Sequence, residues 1–193
     1  KGCVFVTCFS SNISRIKSLI TLADELNRKV CIIGRALNRS VDAAIETGLL
    51  PKSFESLSVK NIKNVDRTKL LVICAGSQGE PNSALSRISL GKNDYMFFKK
   101  GDSVIFSSRK IPGNESAILK IEERIVEHGA EIINEDNENV HVSGHPSKDE
   151  IIREVCYHPC NVTWLFNAKQ DEYAKKRVEK INRDLGLKLI LPY

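Results

Sequence analysis

The sequence predicts an α/β fold, a mostly parallel sheet flanked by helices on both faces, and three observations carry that reading. First, apolar runs without polar alternation recur at residues 3–9 (CVFVTCF), 29–34 (KVCIIG), 69–75 (KLLVICA) and 102–108 (DSVIFSS), the pattern of strands buried on both faces. Second, segments with helical apolar spacing separate these runs. Third, strict strand–helix alternation implies βαβ units, whose crossovers lay helices over both sides of a parallel sheet.

Each element has a local cause. Ser10-Ser11-Asn12 offers a helix N-cap, and Ile13, Ile16, Ile20 and Ala23 mark the stripe that follows. The next helix spans 36–47 and stops at Gly48. Residues 51–67 are polar and mixed, which predicts a loop with a short helix. A helix is expected over 80–90 with Pro81 in its first turn, where a missing N–H does no harm. Asn114 is placed to cap a long helix to His128, closed by Gly129. Short strands are expected at 130–134 and 139–143, with a helix opening at Ser147. After about residue 155 the signal changes to a strand at 161–166, a charged helix at 171–185 and a last strand at 187–191. A helix so charged reads as a solvated surface element.

Composition narrows the class. A chain of 193 residues can bury one good core and begin a second. No apolar run has the length of a membrane helix, and no leading segment resembles a signal peptide. The chain opens on Lys1 rather than Met, directly in a strand, as expected of a fragment or split product. A net charge of +5 permits contact with nucleic acid without demanding it. Of the six cysteines, Cys3, Cys31 and Cys74 sit inside apolar runs, where cysteine serves as a small hydrophobe. That usage fits a reducing cytoplasm better than a disulfide scaffold. The Cys156, His158 and Cys160 cluster holds three possible zinc ligands within five residues but lacks the second pair of a zinc site, a weak metal signal.

Chemistry concentrates in three segments that follow strands, where a parallel sheet gathers its ligands. Gly76-Ser77-Gln78-Gly79-Glu80-Pro81 links a strand to a helix, so its amides and the Ser77 hydroxyl are placed for an anion. Ser107 and Ser108 end the next strand and lead to Ile111-Pro112-Gly113-Asn114-Glu115. His141-Val142-Ser143-Gly144-His145 forms the third, and reads as strand-then-turn rather than as a helical metal pair. Two histidines with Ser and Gly at a strand end suit a phosphate or acid–base role as well as a structural one. The absence of a Gly-x-Gly-x-x-Gly or P-loop signature argues against a nucleotide-binding α/β domain.

In order and spacing these segments, with Ala84-Leu85-Ser86-Arg87 and the earlier FSSNISRI (9–16) and KVCIIGRALNRSV (29–41), resemble the β-CASP region of the ribonuclease J family. The resemblance covers roughly residues 2–155. It implies a β-CASP domain at 1–138, and at 139–193 a return segment toward a metallo-β-lactamase fold, divergent after about 155. It further implies RNA as partner, 5′-monophosphorylated by preference, bound between the two folds of a 5′→3′ exonuclease and endonuclease of RNA processing and decay. By the same resemblance His145 is the candidate proton donor to the leaving oxygen. Ser77, Gln78, Gly79, Ser107, Ser108, His141, Ser143 and Gly144 would line the RNA and phosphate pocket. Dimers and tetramers are implied too, formed through parts this chain lacks.

Two departures qualify the expectation. The family's His-x-His-x-Asp-His motif, which holds two zinc ions in the complete enzyme, is absent, so no metal is expected in this chain. The Pro-Val-His-Gly-Glu motif is also missing; Asn167, within Leu165-Phe166-Asn167-Ala168-Lys169, stands where a zinc-ligating histidine would be. The chain is therefore expected to be inactive alone, with activity resting on a separate metallo-β-lactamase-domain chain. The alternative is a non-catalytic RNA 5′-phosphate-binding module or degenerate remnant.

Overall fold

Runs that show no polar alternation become the strands, because both of their faces are covered. The computed structural model describes residues 2–138 and Val140. In chain order it contains β1 (Val4–Thr7), α1 (Ile13–Glu25), β2 (Lys29–Ile33), α2 (Arg35–Glu46), β3 (Leu70–Cys74), α3 (Ala84–Ser89), β4 (Ser103–Phe106), α4 (Glu115–Glu127) and β5 (Glu131–Ile133). The five strands form one sheet, entirely parallel, in the order β2-β3-β1-β4-β5. The strand expected at 139–143, the helix from Ser147, and the readings of residues 156–193 lie outside the described residues. So do His141, Ser143, Gly144 and His145.

Side chains alternate along a strand, so each strand feeds two cores. In β3, Leu70, Val72 and Cys74 face a cluster with Phe5, Val104, Leu85 and Ile118. Leu71 and Ile73 face the other, with Val6, Ile16 and Leu37. Thus α3 and α4 cover one face of the sheet, and α1 and α2 cover the opposite one. Every residue of β3 is buried, and each large apolar side chain so placed stabilises the fold by about 1.5–3 kcal/mol. The expected N-cap of α1 is Asn12, whose side chain accepts from the Arg15 amide at 3.0 Å. The polar stretch after α2 carries a 3₁₀ turn at Val59–Asn64, which buries Ile62.

Two local expectations are corrected. The helix expected over 80–90 with Pro81 in its first turn is α3, six residues from Ala84. Residues 80–83 fold instead as a turn: the Glu80 carboxylate accepts from the Gln78 amide at 3.0 Å, Asn82 adopts a φ of 61°, and Ser83 caps α3 through the Ser86 amide at 3.2 Å. Asn114 does occupy the N-cap position of α4, but makes no capping bond. Its side-chain amide donates to Gln78 Oε1 at 3.4 Å instead.

The amino ends of the central strands are tied by a buried ion pair. Asp102, 1% exposed, precedes β4. Its carboxylate accepts from the Cys3 amide at 2.9 Å, the Lys99 amide at 2.8 Å, Arg67 Nε at 3.0 Å, and Arg67 Nη2. One carboxylate therefore joins the entry to β1, the segment before β3 and the entry to β4.

Candidate functional site

A parallel sheet delivers the ends of all its strands to one edge, and helices that leave toward opposite faces open a crevice there. Here α1 follows β1 onto one face, while α3 and α4 follow β3 and β4 onto the other. Since β1 lies between β3 and β4, the segments after these three strands are neighbours. The sequence-predicted residues Ser77, Gln78 and Gly79 follow β3; Ser107 and Ser108 follow β4. The structure brings these two groups together.

Gln78 makes the join. Its Nε2 donates to the Arg109 carbonyl at 2.8 Å and to Ser108 Oγ at 3.4 Å. Its Oε1 accepts from the Ile111 amide at 2.9 Å and from Asn114 Nδ2. Both ends of the carboxamide are engaged inside the protein, so Gln78 works as a strut between the two loops. Leucine at this position keeps the volume and leaves four polar groups without their partner. Three of these lie near the surface and can hydrate, so Gln78→Leu should cost about 1–2 kcal/mol in urea denaturation, within the range for lost hydrogen bonds.

Gly79 sits in the same turn with φ of 74°, packed directly against the start of α4. The anion-receiving role first ascribed to a helix N-terminus after this loop changes in detail, because α3 begins only at Ala84 and is short. What remains exceptional is Ser77. The residue is 2% exposed and its hydroxyl has no hydrogen-bond partner among the described residues. Among the described residues Thr7, at the tip of β1, shares this condition; it is fully buried, with its hydroxyl against the Cys74 thiol. An unsatisfied buried hydroxyl costs about 1–3 kcal/mol, and Ser77 bears that cost in the loop after β3.

Ser107 is organised by a residue the sequence reading passed over. Arg15 Nη1 donates to Ser107 Oγ at 2.7 Å and to the Val140 carbonyl at 3.2 Å, and Ser107 Oγ donates to that carbonyl at 2.9 Å. A signal for Arg15 existed: a cation in the first turn of α1 opposes the helix dipole and needs another reason to be there. Neighbouring Lys110 is not free for an anion. Its ammonium meets Asp136 at 2.9 Å and Glu122 at 3.4 Å, and the Asp136 bond holds it above the ordinary lysine range.

The described residues do not fit a zinc pair. No group of three or more His, Cys, Asp or Glu among them is placed to hold a metal ion. The free thiols of Cys3 and Cys31 are pushed up to about 12 and that of Cys8 to about 11, each chiefly by burial. Such thiols stay protonated at neutral pH and pack as apolar groups. No helix among the described residues is long and apolar enough to cross a membrane.

Comparison with known proteins gives this arrangement a family. The family model described as "Ribonuclease J, beta-CASP domain" matches residues 1–125. Ribonuclease J of Sinorhizobium meliloti is 40% identical over 151 residues, 78% of this chain and 27% of that protein. Ribonuclease J of Thermus thermophilus is 37% identical over 150 residues, covering 78% of this chain and 26% of the relative. That of Mycoplasma pneumoniae is 35% identical over 153 residues, with 78% and 27% covered. The chain thus spans about a quarter of the length of the curated relatives it matches. With a parallel sheet of the expected order of elements and a match over most of its described residues, the chain belongs to the ribonuclease J family, of which it carries the β-CASP domain.

Proposed function

We propose that this chain is the RNA-binding part of a ribonuclease J-like nuclease and receives a 5′-monophosphate at the tips of β1, β3 and β4. The observation that carries the reading is the Ser77 hydroxyl, buried and without a partner among the described residues, in a loop whose neighbouring side chains are paired. A phosphate oxygen is the kind of acceptor that would satisfy it. Gln78 and Arg15 act in this reading by positioning: one locks the loop after β3 to the loop after β4, the other holds Ser107. The fixation of Val140 by Ser107 and Arg15 adds support, because His141, Ser143, Gly144 and His145 follow it directly in the chain. Those four complete the proposed pocket, with His145 as proton donor to the leaving oxygen. Hydrolysis belongs to a metallo-β-lactamase-type segment or separate chain that would supply the zinc ions. This chain's share is to bind and orient RNA.

The test is affinity for two RNAs of one sequence, labelled at the 3′ end and bearing either a 5′-monophosphate or a 5′-hydroxyl. Fluorescence anisotropy with the intact chain should show about tenfold tighter binding of the phosphorylated form, or about 1.4 kcal/mol. Equal affinity would leave general electrostatics as the only attraction and end the proposal.

A further inference from the structure

A second crevice lies on the other side of the loop that carries Ser77 and Gln78. It opens at the carboxyl ends of β2 and β3, has a volume of about 980 Å3, and is lined by Arg35, Asn38 and Arg39 of α2, Asn82 before α3, Arg87 within α3, and Asn93. Three guanidinium groups and three carboxamides thus surround an apolar floor that includes Ile33 and Val59, and no carboxylate among the described residues lines it. We propose that this crevice is a second RNA contact, taking the phosphodiesters of a single-stranded segment downstream of the 5′ end. The inference rests on the proposed function for its ligand and extends it to a separate surface.

Three features argue for the assignment. Arg35 and Arg39 are four residues apart on α2, so they project from one helix face; both are exposed, and neither forms an ion pair among the described residues. Arg87 spends one donor on the Lys92 carbonyl at 3.2 Å and keeps the others. Guanidinium forks without carboxylate partners suit phosphate oxygens, which they bind in pairs.

The second feature is the start of α2. Its N-cap is Gly34, at φ of 142°, and a Cβ there would stand 3.2 Å from the Ala75 Cβ. Close approach of the loop after β3 therefore favours glycine, and glycine supplies no capping side chain. No acidic residue occupies the first turn; Arg35 does. A cation there adds to the positive end of the helix dipole, an arrangement that costs stability in isolation and is repaid by a bound polyanion.

The third feature is the combination of linings. Charged forks at the rim, carboxamides between them and an apolar floor reproduce what single-stranded nucleic acid needs: backbone neutralisation, base-edge hydrogen bonds and an apolar surface under a base. Inorganic phosphate shares only the charge, and a free nucleotide offers one base and no run of phosphodiesters, so length of strand separates the sources.

The experiment uses the intact chain and a 5′-hydroxyl oligouridylate of about a dozen nucleotides, labelled at its 3′ end, over a salt series. The double variant R35A/R39A should bind about tenfold more weakly at low salt. Its log–log salt slope should shrink by about 1.4, at roughly 0.7 per phosphate contact on a single strand. K17A/K120A removes the same charge from exposed positions on α1 and α4 and should leave the slope nearly unchanged. Equal losses in both variants, or none in R35A/R39A, would overturn the assignment. So would competition by inorganic phosphate as effective as competition by unlabelled oligouridylate at equal phosphate concentration. Preference for a 5′-monophosphate reports on the other pocket: if it is absent while R35A/R39A still weakens binding, the 5′ pocket is wrong and this contact stands. If it persists in R35A/R39A with affinity unchanged, the reverse holds. Because both arginines are exposed and Arg35 opposes the helix dipole, the double variant should melt no lower than the parent, which excludes loss of folding.

Discussion

Replacing Asp102 with alanine is expected to destabilise the chain by about 3–5 kcal/mol, the usual cost of removing one partner from a buried ion pair. The carboxylate is 1% exposed, so water cannot take its place. Its loss leaves the amides of Cys3 and Lys99 without their acceptor and the Arg67 guanidinium, 23% exposed, with the Phe97 carbonyl and ring alone among the described residues; three separate stretches of chain are affected. Against a typical total stability of about 5–15 kcal/mol, that is a large share. Asp102→Asn should cost less, since one oxygen still accepts the Cys3 amide while charge and one acceptor are lost. Urea denaturation followed by circular dichroism measures both. A change under about 1 kcal/mol for the alanine variant would mean that the pair contributes no more than an exposed one.

The second large effect is expected at Gly79. A Cβ at this position would stand 2.7 Å from the carbonyl carbon and Cβ of Ala117 and 2.9 Å from the Ile118 amide nitrogen. Those atoms belong largely to the backbone of α4, which cannot swing aside as a long side chain would. The residue also has φ of 74°, a region L-residues enter at a cost of about 1–3 kcal/mol. Forcing extra volume into a packed contact adds about 1–3 kcal/mol. Gly79→Ala should therefore lower stability by about 3 kcal/mol. At Gly113, with φ of 97° and nothing within 4 Å, alanine carries the conformational cost alone. Similar denaturation midpoints for the two variants would show that the contact with α4 yields freely.

The strands were legible because burial on both faces writes itself as continuous apolar sequence. LLVIC and VFVT have no polar residue for solvent to claim apart from a terminal threonine. That the loops after β3 and β4 leave the same edge also followed, since a parallel sheet sends all its carboxyl ends to one side; their adjacency comes from the strand order. What escaped were interactions between distant segments. Arg67 and Asp102 are 35 residues apart, and nothing near either one announces the other. Asn114 has the right identity and position to cap α4, yet its side-chain NH2 is turned to a glutamine 36 residues earlier and no capping bond forms. Turn formation at 80–83 is hidden for a related reason: Pro81 suits the first turn of a helix, but the Glu80 carboxylate turns back to the Gln78 amide. The arginine-lined crevice draws on residues from 32 to 93, a combination that only the folded chain assembles.

The glutamine strut bears on how tightly a ligand can be held. A loop that must be ordered on binding forfeits about 1–2 kcal/mol of backbone entropy per residue from the affinity it would otherwise gain. Here the carboxamide of Gln78 has already fixed residues 108–114 against the turn after β3 as the protein folds. Preorganisation of this kind leaves the full enthalpy of each new contact available to the incoming molecule.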